Sequence, residues 1–502
     1  MSFGHGRLPR DGSVQNNWRV SRQKIASRSI VWTRLASTTT TATSSKIHQS
    51  TITTPPSVTT SDSRHVRPSP LSRLSTVSLL RSLFLGYCFT SGRLLRILMG
   101  AMNIIVQSKS PFLSPDRNPI LRGVIRALVY DHFCAGTTVS EVKKSITEIK
   151  AAGYAGVILG YGREIVVDAS DASSAQPKGP IESDSPTHQD EHIAQWSEGN
   201  RATLAMIGAN DYMNIKFTGA GPNVSKCLAS GAEPPEQLRQ AMDALCTQAA
   251  SQKSQIWIDA EQQIFQPTID TWTLHLMRKY NRNHHALVWT TIQTYLKSSR
   301  QTVGLLLQCA SEEGWTLGIK QVRGAYIASE MRDRIWDTKE QTDESYNGIA
   351  RDLLRKETGQ GVFPGFTASE FPDLRLFLAG HNKDSIRLAT SLVTELVEAG
   401  RQVPPVQYGQ LQGMADDISC DLVQQYEDIA QDASQHKGEE SYELKLRTAP
   451  LAYKCLCWGS VTEVLNFLMR RAVENASAAE RLKDGLVELR KELKRRMLLK
   501  TT

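Results

Sequence analysis

The sequence LAYKCLCWGSVTEVLNFLMRRAVENAS, residues 451–477, combines a buried strand, a glycine turn and an amphipathic helix. Residues 451–457 are mostly apolar, Gly459 marks the turn, and the segment after it repeats its apolar side chains at helical spacing. This apolar stripe consists of Val461, Val464, Leu465, Leu468 and Ala472. A strand, a turn and a helix in this order form the repeating unit of α/β folds.

Two adjacent arginines lie on the predicted helix. Arg471 lies beside the apolar stripe, close in angle to Val464, whereas Arg470 points about 100° further round. An arginine fork matches a carboxylate through two hydrogen bonds, so the pair suits a carboxylate ligand. The alternative is a solvated pair that faces water, which the spacing by itself does not exclude.

The same order of elements, a short apolar strand, a loop and a helix, recurs upstream. Because eight mostly continuous apolar strands alternate with helical segments, the sequence predicts an α/β fold, a parallel (βα)8 TIM-like barrel. An open doubly wound sheet is the alternative fold. The predicted strands are 155–161, 213–218, 255–260, 286–292, 316–322, 374–379, 405–410 and 451–457.

The segments around these strands are less regular. Residues 118–136 predict an amphipathic helix followed by a turn, and residues 139–152 predict a helix that ends at Gly153. The insert 168–200 is polar, so we expect a surface loop. The insert 416–441 is acidic and polar, and its pattern leaves a helix open.

The N-terminal part of the chain differs sharply in composition from the rest. The first 100 residues contain fourteen Lys or Arg and two acids, whereas the whole chain has a formal charge of +8. The remainder is therefore slightly acidic, and nothing in it indicates nucleic-acid binding. Residues 1–70 are rich in Ser, Thr and Arg, which predicts a disordered leader of the mitochondrial transit-peptide type. A disordered tail without a targeting role is the alternative.

An apolar segment follows the leader. It carries LLRSLFLGYCF and LLRILMGAMNIIV, and neither run reaches the roughly 20 uninterrupted residues of a membrane span. Two interpretations remain open: helices packed on the body, or an amphipathic surface that rests on a membrane. Because the leader lacks a packable pattern, we expect residues beyond about 110 to suffice for the barrel. The eight cysteines form no CxxC pair, so neither a disulfide framework nor a zinc site is predicted.

Polar side chains follow six successive predicted strands, at the end of a barrel where enzymes place their chemistry. Lys216, Lys320 and Arg323, with the arginine pair, predict a cationic mouth for a dinucleotide pyrophosphate or a carboxylate. No GxGxxG lies between a strand and a helix, so a dinucleotide would bind in the barrel itself. The polar strand ends are Glu164, Lys216, Asp259, Glu261, Gln293, Tyr295, Lys320, Arg323, Tyr326, His381 and Asn382.

An ordered set of motifs over roughly residues 118–477 resembles the proline dehydrogenase family. The motifs are FCAG at 133–136, KFTG at 216–219, IDAEQ at 258–262, FQP at 265–267, IQTYLK at 292–297, VRGAY at 322–326, TKEQTD at 338–343, GHN at 380–382, YGQLQGM at 408–414 and RRAVEN at 470–475. One such motif is weak evidence, but the set in this order is specific. The resemblance implies a flavoenzyme barrel whose last helix lies across the mouth.

The resemblance also implies roles for individual residues. Arg470 and Arg471 match the pair that holds the substrate carboxylate, and Glu164 matches an acid that pairs with the second arginine and gates the pocket. Lys216 and Asp259 match residues that line the isoalloxazine and proline site, and Tyr326 matches a residue packed near both. Residues that match FAD contacts are Gln293, Lys320, Arg323, His381, Asn382 and Glu474.

One position departs from the family pattern. Animal and bacterial members carry a tyrosine over the proline ring, fifteen residues before the first clamp arginine, and this chain has Cys455 there. We expect spare volume that tolerates 4-hydroxyproline. The alternative is that Tyr453 or Trp458 fills the gap.

The function that the resemblance implies is FAD-dependent oxidation of L-proline to Δ1-pyrroline-5-carboxylate, with electrons passed to quinone at the matrix side of the mitochondrial inner membrane. The alternatives are a dehydrogenase of hydroxyproline or another cyclic amino acid, a flavin barrel similar to methylenetetrahydrofolate reductase, and an inactive membrane-associated barrel. The predicted organisation is a leader at 1–70, an apolar helical segment at 71–117, the FAD-binding barrel at 118–477 and a charged helix at 478–502.

Overall fold

Eight parallel strands close into a barrel. The computed structural model describes residues 69–108, 110–162, 190–327, 330–357, 370–436, 438–465, 468–469 and 479–499. The strands are β1 (Cys134–Gly136), β2 (Gly156–Tyr161), β3 (Tyr212–Ile215), β4 (Gln255–Ile258), β5 (Val288–Gln293), β6 (Leu317–Val322), β7 (Leu374–Ala379), β8 (Val406–Leu411) and β9 (Leu451–Trp458). Strands β2 to β9 pair in chain order, and β9 closes the ring by pairing with both β8 and β2. The predicted (βα)8 fold is confirmed, and the open sheet is excluded.

Helices surround this barrel and extend it at both chain ends. They are α1 (Thr76–Thr90), α2 (Gly92–Gln107), α3 (Pro119–Ile125), α4 (Val139–Ala151), α5 (Glu191–Met206), α6 (Pro222–Ser230), α7 (Glu236–Gln252), α8 (Gln266–Tyr280), α9 (Ser299–Glu313), α10 (Lys339–Arg355), α11 (Lys383–Glu398), α12 (Asp416–Gln435), α13 (Glu440–Thr448) and α14 (Ala479–Leu499). A π-helical stretch, Arg126–Tyr130, and a short helical segment, Asp131–Phe133, continue α3 towards β1.

The eight predicted strands all form, with their ends shifted by at most a few residues. Their apolar runs are bounded by polar or glycine residues, which is why the pattern located them. Strand β1 was missed, because only three residues at the end of a helical pattern pair with β9. The insert 168–200 is not wholly a loop: residues 163–189 lie outside the described part, and α5 begins at Glu191. Its buried Ile193 and Trp196 supply the apolar face that the polar composition concealed.

Five buried aromatic side chains pack together inside the barrel: Tyr212, Trp257, Trp289, Phe377 and Tyr453. Their neighbouring ring centroids lie between 4.5 and 5.5 Å apart. Side chains alternate along a strand, so the residue two positions later faces the same interior one layer higher. Those residues are small or polar, which leaves a cavity above the rings: Asn214, Asp259, Thr291, Ala379 and Cys455.

The two ends of the described chain meet beside this cavity. Helix α1 buries Leu79 and Leu83 in a cluster with Leu486 and Leu489 of α14. Helix α1 is thus packed on the body, which is the first of the two interpretations of this segment. Among the described helices none is long and apolar enough to cross a bilayer; α1 and α2 meet the length and composition criteria only as a pair, and the chain bends by 100° between them.

Candidate active site

A cavity of about 800 Å³ lies at the C-terminal ends of the barrel strands. Its walls contain every predicted site residue that the structure describes. These residues are Lys216, Asp259, Gln293, Lys320, Arg323, Tyr326, His381, Asn382 and Cys455. Residues from six strands or the loops after them therefore converge on one space, as the barrel rule predicts.

A carboxylate flanked by two lysines forms the centre of the polar wall. The Lys320 Nζ atom lies 2.5 Å from Asp259 Oδ1, and the Lys216 Nζ atom lies 2.9 Å from Asp259 Oδ2. Asn214 donates a third hydrogen bond to Oδ2 at 3.2 Å. The Lys320 ammonium also lies 4.7 Å from the centre of the Trp257 ring, a cation–π contact that links the cluster to the aromatic layer.

The electrostatics of this cluster follow from its burial and its two cations. Burial by itself would raise the pKa of Asp259, but the ammonium groups of Lys216 and Lys320 outweigh burial and hold this pKa well below its usual range. Asp259 is therefore ionised at neutral pH and is a poor proton acceptor. Two ammonium groups against one carboxylate leave the wall positively charged towards the cavity.

A third cation of the cavity wall, Arg323, is held by side chains of α10 and α11. Its Nε donates to Asp343 Oδ1 at 2.8 Å and its Nη2 donates to Ser385 Oγ at 2.7 Å. The guanidinium stacks on Tyr346, with its central carbon 4.3 Å from the ring centre. Burial tends to raise the pKa of Asp343, but hydrogen bonds from Lys339 and Arg323 dominate and lower it, so the ion pair persists to acidic pH.

The amide and imidazole side chains of the site are oriented by backbone groups. Gln293 donates from Nε2 to the Glu261 carbonyl at 3.1 Å and accepts from the Ala325 N–H at 3.2 Å. His381 Nε2 accepts from the Leu411 N–H at 3.1 Å, which requires this nitrogen to be unprotonated. Asn382 caps α11 by accepting from the Ser385 N–H at 3.1 Å.

Cys455 faces the cavity from β9, and neither neighbouring aromatic residue covers it. Tyr453 is buried in the aromatic layer below, where its hydroxyl accepts from Gln407 at 3.3 Å. Trp458 turns towards α5 and donates to Thr203 at 2.8 Å. Neither aromatic residue lines the cavity, which argues against the alternative in which one of them fills the gap.

Two of the polar strand ends do not reach the cavity. Glu261 is buried and accepts hydrogen bonds from both the N–H and the hydroxyl of Thr218, so it links the loop after β4 to the loop after β3. Tyr295 is buried against Gly324, where a side chain on the glycine would lie 2.5 Å from the tyrosine ring. Both follow a strand end, where the alternation of a strand no longer fixes side-chain direction.

The comparisons with known proteins agree with this geometry. A family model described as proline dehydrogenase matches residues 142–484. The chain belongs to the proline dehydrogenase family. The resemblance in the motifs is thereby confirmed, and members of this family are flavoproteins that act as oxidoreductases on proline.

Several curated proteins resemble this proline dehydrogenase family member. It is 28% identical over 477 residues to a probable mitochondrial proline dehydrogenase of Schizosaccharomyces pombe, covering 86% of this chain and 90% of that protein. It is 33% identical over 251 residues to human mitochondrial proline dehydrogenase 1, covering 48% of this chain and 36% of the human one. It is 25% identical over 428 residues to rat hydroxyproline dehydrogenase, covering 75% and 84%.

Solved structures share the barrel fold, and one of them has a TM-score above 0.5. Proline utilization A from Bdellovibrio bacteriovorus, inactivated by N-propargylglycine, superposes with a TM-score of 0.56 at 14% identity, covering 80% of this chain and 40% of that one. At this identity the likeness concerns the barrel fold alone.

The predicted clamp residues Arg470 and Arg471, with Glu164 and the predicted cofactor contact Glu474, lie outside the described residues. The stripe that precedes the arginines is described and buried, with Val461, Val464, Leu465 and Leu468 in one cluster with Leu85 and Phe89 of α1. Ala472 of the stripe also lies outside the described part.

Sequence reasoning missed one wall of the cavity, the one built from the chain ends. Ser82, Leu85, Gly86 and Phe89 of α1 line it at helical spacing, opposite Gly485, Leu486 and Leu489 of α14. The spacing was visible in the sequence, but a pattern does not identify the surface that a helix face covers. A chain that begins at about residue 110 would lack the α1 part of this wall, which argues against the expectation that such a chain suffices for the flavin-binding barrel.

Proposed function

We propose that this protein oxidises L-proline to Δ1-pyrroline-5-carboxylate with FAD and passes the electrons to a quinone. The observation that carries the proposal is the Lys216–Asp259–Lys320 cluster at the barrel mouth, in a chain of the proline dehydrogenase family. The cluster supplies positive charge to the wall of a cavity that is closed below by aromatic rings.

The residues present fit a flavin dinucleotide. The cavity has room for a large ligand, and its donors from Lys320, Arg323 and the start of α11 suit the phosphates. Two buried acceptors in its lining, Asn214 Oδ1 and Gln410 Oε1, have no hydrogen-bond partner among the described residues. Buried acceptors of this kind normally meet a donor, which N–H or hydroxyl groups of a flavin would supply.

The residues that would hold the cofactor are Gln293, Lys320, Arg323, His381 and Asn382, together with Glu474. A bound flavin supplies the acceptor for the hydride that leaves the ring carbon next to nitrogen. The chain's own part is binding and orientation: Arg470 and Arg471 hold the substrate carboxylate, and Glu164 pairs with the second arginine. Lys216, Asp259 and Tyr326 line the substrate side. With its low pKa, Asp259 orients the lysines and does not accept a proton.

Hydroxyproline is a second candidate substrate. The cavity-lining Cys455 favours it, because cysteine is shorter than the tyrosine of other members and a pocket with spare volume rejects an added hydroxyl only weakly. A relative named hydroxyproline dehydrogenase also matches most of the chain.

Location at the matrix side of the mitochondrial inner membrane completes the proposal. Homologues are named mitochondrial. Helices α2 and α3 expose apolar side chains beside basic ones, a surface that suits anionic lipid. The exposed apolar residues are Leu94, Ile97, Ile104, Ile120 and Val124, and the exposed arginines are Arg93, Arg96 and Arg122.

The test is anaerobic addition of L-proline, 4-hydroxyproline and other cyclic amino acids to the purified full chain loaded with FAD. We expect proline to bleach the flavin absorbance fastest, with formation of a cyclic imine that an aromatic aminoaldehyde traps as a coloured adduct. Failure to retain FAD would contradict the cofactor assignment. Bleaching by another amino acid but not by proline would contradict the substrate assignment.

A further inference from the structure

The wall built from the chain ends differs in chemistry from the rest of the cavity. Its buried side chains on α1 and α14 are apolar: Leu85, Phe89, Leu486 and Leu489. The cationic and amide side chains of the predicted site lie on strands β3 to β7 or directly after them: Lys216, Gln293, Lys320, Arg323 and Asn382. The cavity thus joins one charged wall and one apolar wall.

The apolar wall has a defined structure, because specific contacts hold α1 and α14 together. A Cβ atom on Gly86 would lie 2.5 Å from Leu486 Cδ2, so the glycine permits the close approach of the two helices. Arg496 of α14 donates to the Leu74 carbonyl at 2.7 Å and to Thr76 Oγ1 at 3.0 Å, at the start of α1.

Contacts with the barrel fix the wall in place. Ser82 of α1 donates to Asp416 Oδ2 at 3.3 Å. The other oxygen of this carboxylate accepts from the buried Lys454 of β9 at 2.7 Å. Helix α1 is therefore anchored to the mouth of the barrel through a buried ion pair.

Oxidation of proline does not account for an apolar wall. Proline is a small zwitterion, and a charged ligand gains nothing from a surface that offers it no hydrogen bonds. The outer face of α1 is apolar as well, since Leu80, Phe84 and Tyr87 are exposed. One helix therefore presents apolar side chains both to the cavity and to the exterior, which suits a ligand that comes from an apolar phase.

Resting on the function proposed above, we propose that this wall binds the second substrate, a lipophilic quinone-type acceptor. In the overall reaction proline loses two electrons and two protons, as its ring C–H and N–H bonds break and a C=N bond forms. The quinone gains two electrons and two protons and becomes a quinol. The wall places the apolar quinone ring on the side of the cavity opposite the charged groups.

Two phenylalanines on α1 provide a matched pair of variants. Phe89 lines the cavity, whereas Phe84, one and a half turns earlier, is half exposed on the outer face. With the full FAD-loaded chain and a dissolved short-chain ubiquinone, Phe89→Ala raises the KM for quinone roughly tenfold or more, the scale expected for loss of one aromatic contact. Phe84→Ala leaves it unchanged. In both variants, proline bleaches the flavin at the wild-type rate without acceptor, and turnover with ferricyanide, which needs no apolar site, is preserved.

A second pair covers the case in which Phe89→Ala does not fold. Leu486→Ala lies on the wall and Val487→Ala lies on the exposed face of the same helix. Only the first change should weaken quinone turnover. An independent readout is a photoreactive azidoquinone, which should label peptides that carry residues 82–89 or 485–489, and excess short-chain quinone should suppress that labelling.

The outcomes separate this proposal from the function on which it rests. Equal losses with quinone and ferricyanide, or labelling confined to other peptides, would overturn the quinone site. Loss of FAD from a wall variant would show that the wall holds the cofactor, and this result would also overturn the quinone site. If proline fails to bleach the wild-type flavin while the wall is still labelled, the assigned substrate is wrong and the quinone site stands.

Discussion

Replacement of Asp259 by asparagine tests the central cluster. The change keeps the shape of the side chain but leaves the ammonium groups of Lys216 and Lys320 facing each other without the carboxylate between them. Removing one partner of a buried ion pair costs about 3–5 kcal/mol. Because both lysine side chains border the cavity and can turn towards water, we expect the lower end of this range, about 3 kcal/mol in the free energy of unfolding.

Asp243 on α7 offers a matched control. It also contacts two cations, Lys279 at 2.8 Å and Arg239 at 3.6 Å, but both cations are about half exposed and the Asp243 side chain is 28% exposed. An exposed ion pair contributes less than about 1 kcal/mol, so Asp243→Asn should have little effect on stability and none on turnover. The measurement is denaturant unfolding of both variants and the wild type at one pH and salt concentration.

The pH dependence of stability gives a second readout. The pKa of Asp259 is lowered in the folded state, so its contribution is complete above the unfolded-state pKa of about 3.9 and is lost as the pH falls towards the folded-state value. The difference in stability between wild type and Asp259→Asn should therefore be constant near neutral pH and shrink below about pH 4.

Activity decides whether the cluster is more than structural. We expect kcat/KM for proline to fall by at least about a hundredfold in Asp259→Asn, which corresponds to about 2.7 kcal/mol. Stability no lower than that of Asp243→Asn would refute the ion-pair reasoning. A destabilised variant whose flavin is still bleached by proline at the wild-type rate would refute the role in the site.

Four further expectations follow from the site and its surroundings. Cys455→Tyr should increase the discrimination in kcat/KM between proline and 4-hydroxyproline by roughly 1–3 kcal/mol in favour of proline, because the ring would take up volume that cysteine leaves. An unaltered ratio of the two kcat/KM values in a folded, flavin-loaded variant contradicts this. Arg471→Ala should lower kcat/KM for proline, with a loss of transition-state stabilisation of about 2–5 kcal/mol, without lowering the thermal midpoint. A kcat/KM close to that of the wild type would exclude the clamp. A chain that starts at residue 69 should keep the thermal midpoint of the full chain, whereas a chain that starts at 110 should have a lower midpoint, since it lacks buried Leu79 and Leu83; equal midpoints of the two fragments would count against the packing of α1 on the body. Ile97→Glu should reduce flotation of the protein with cardiolipin-containing vesicles while leaving proline-dependent bleaching intact, and unchanged flotation would argue against contact through α2.

The barrel could be predicted from the sequence because its signal is local. A strand buried on both faces must be apolar along its whole length, and each of the eight runs ends at residues that cannot continue it. The stripe from Val461 to Leu468 was equally readable, since helical spacing depends only on the backbone, and these residues are buried as predicted. The ordered motifs identified the family, which hydrophobic periodicity by itself does not reveal.

The site needed the tertiary structure wherever it depends on direction or on partners far apart in the chain. Asp259 and Glu261 both follow β4, but the first contacts Lys216 after β3 and Lys320 on β6. The second accepts hydrogen bonds from Thr218 in the loop after β3. Side-chain direction is fixed by alternation only inside a strand, so the sequence did not separate them. The apolar wall joins α1 to α14, whose partners are separated by most of the chain. An amphipathic pattern shows that a face is covered, but only the packing of distant segments decides what covers it.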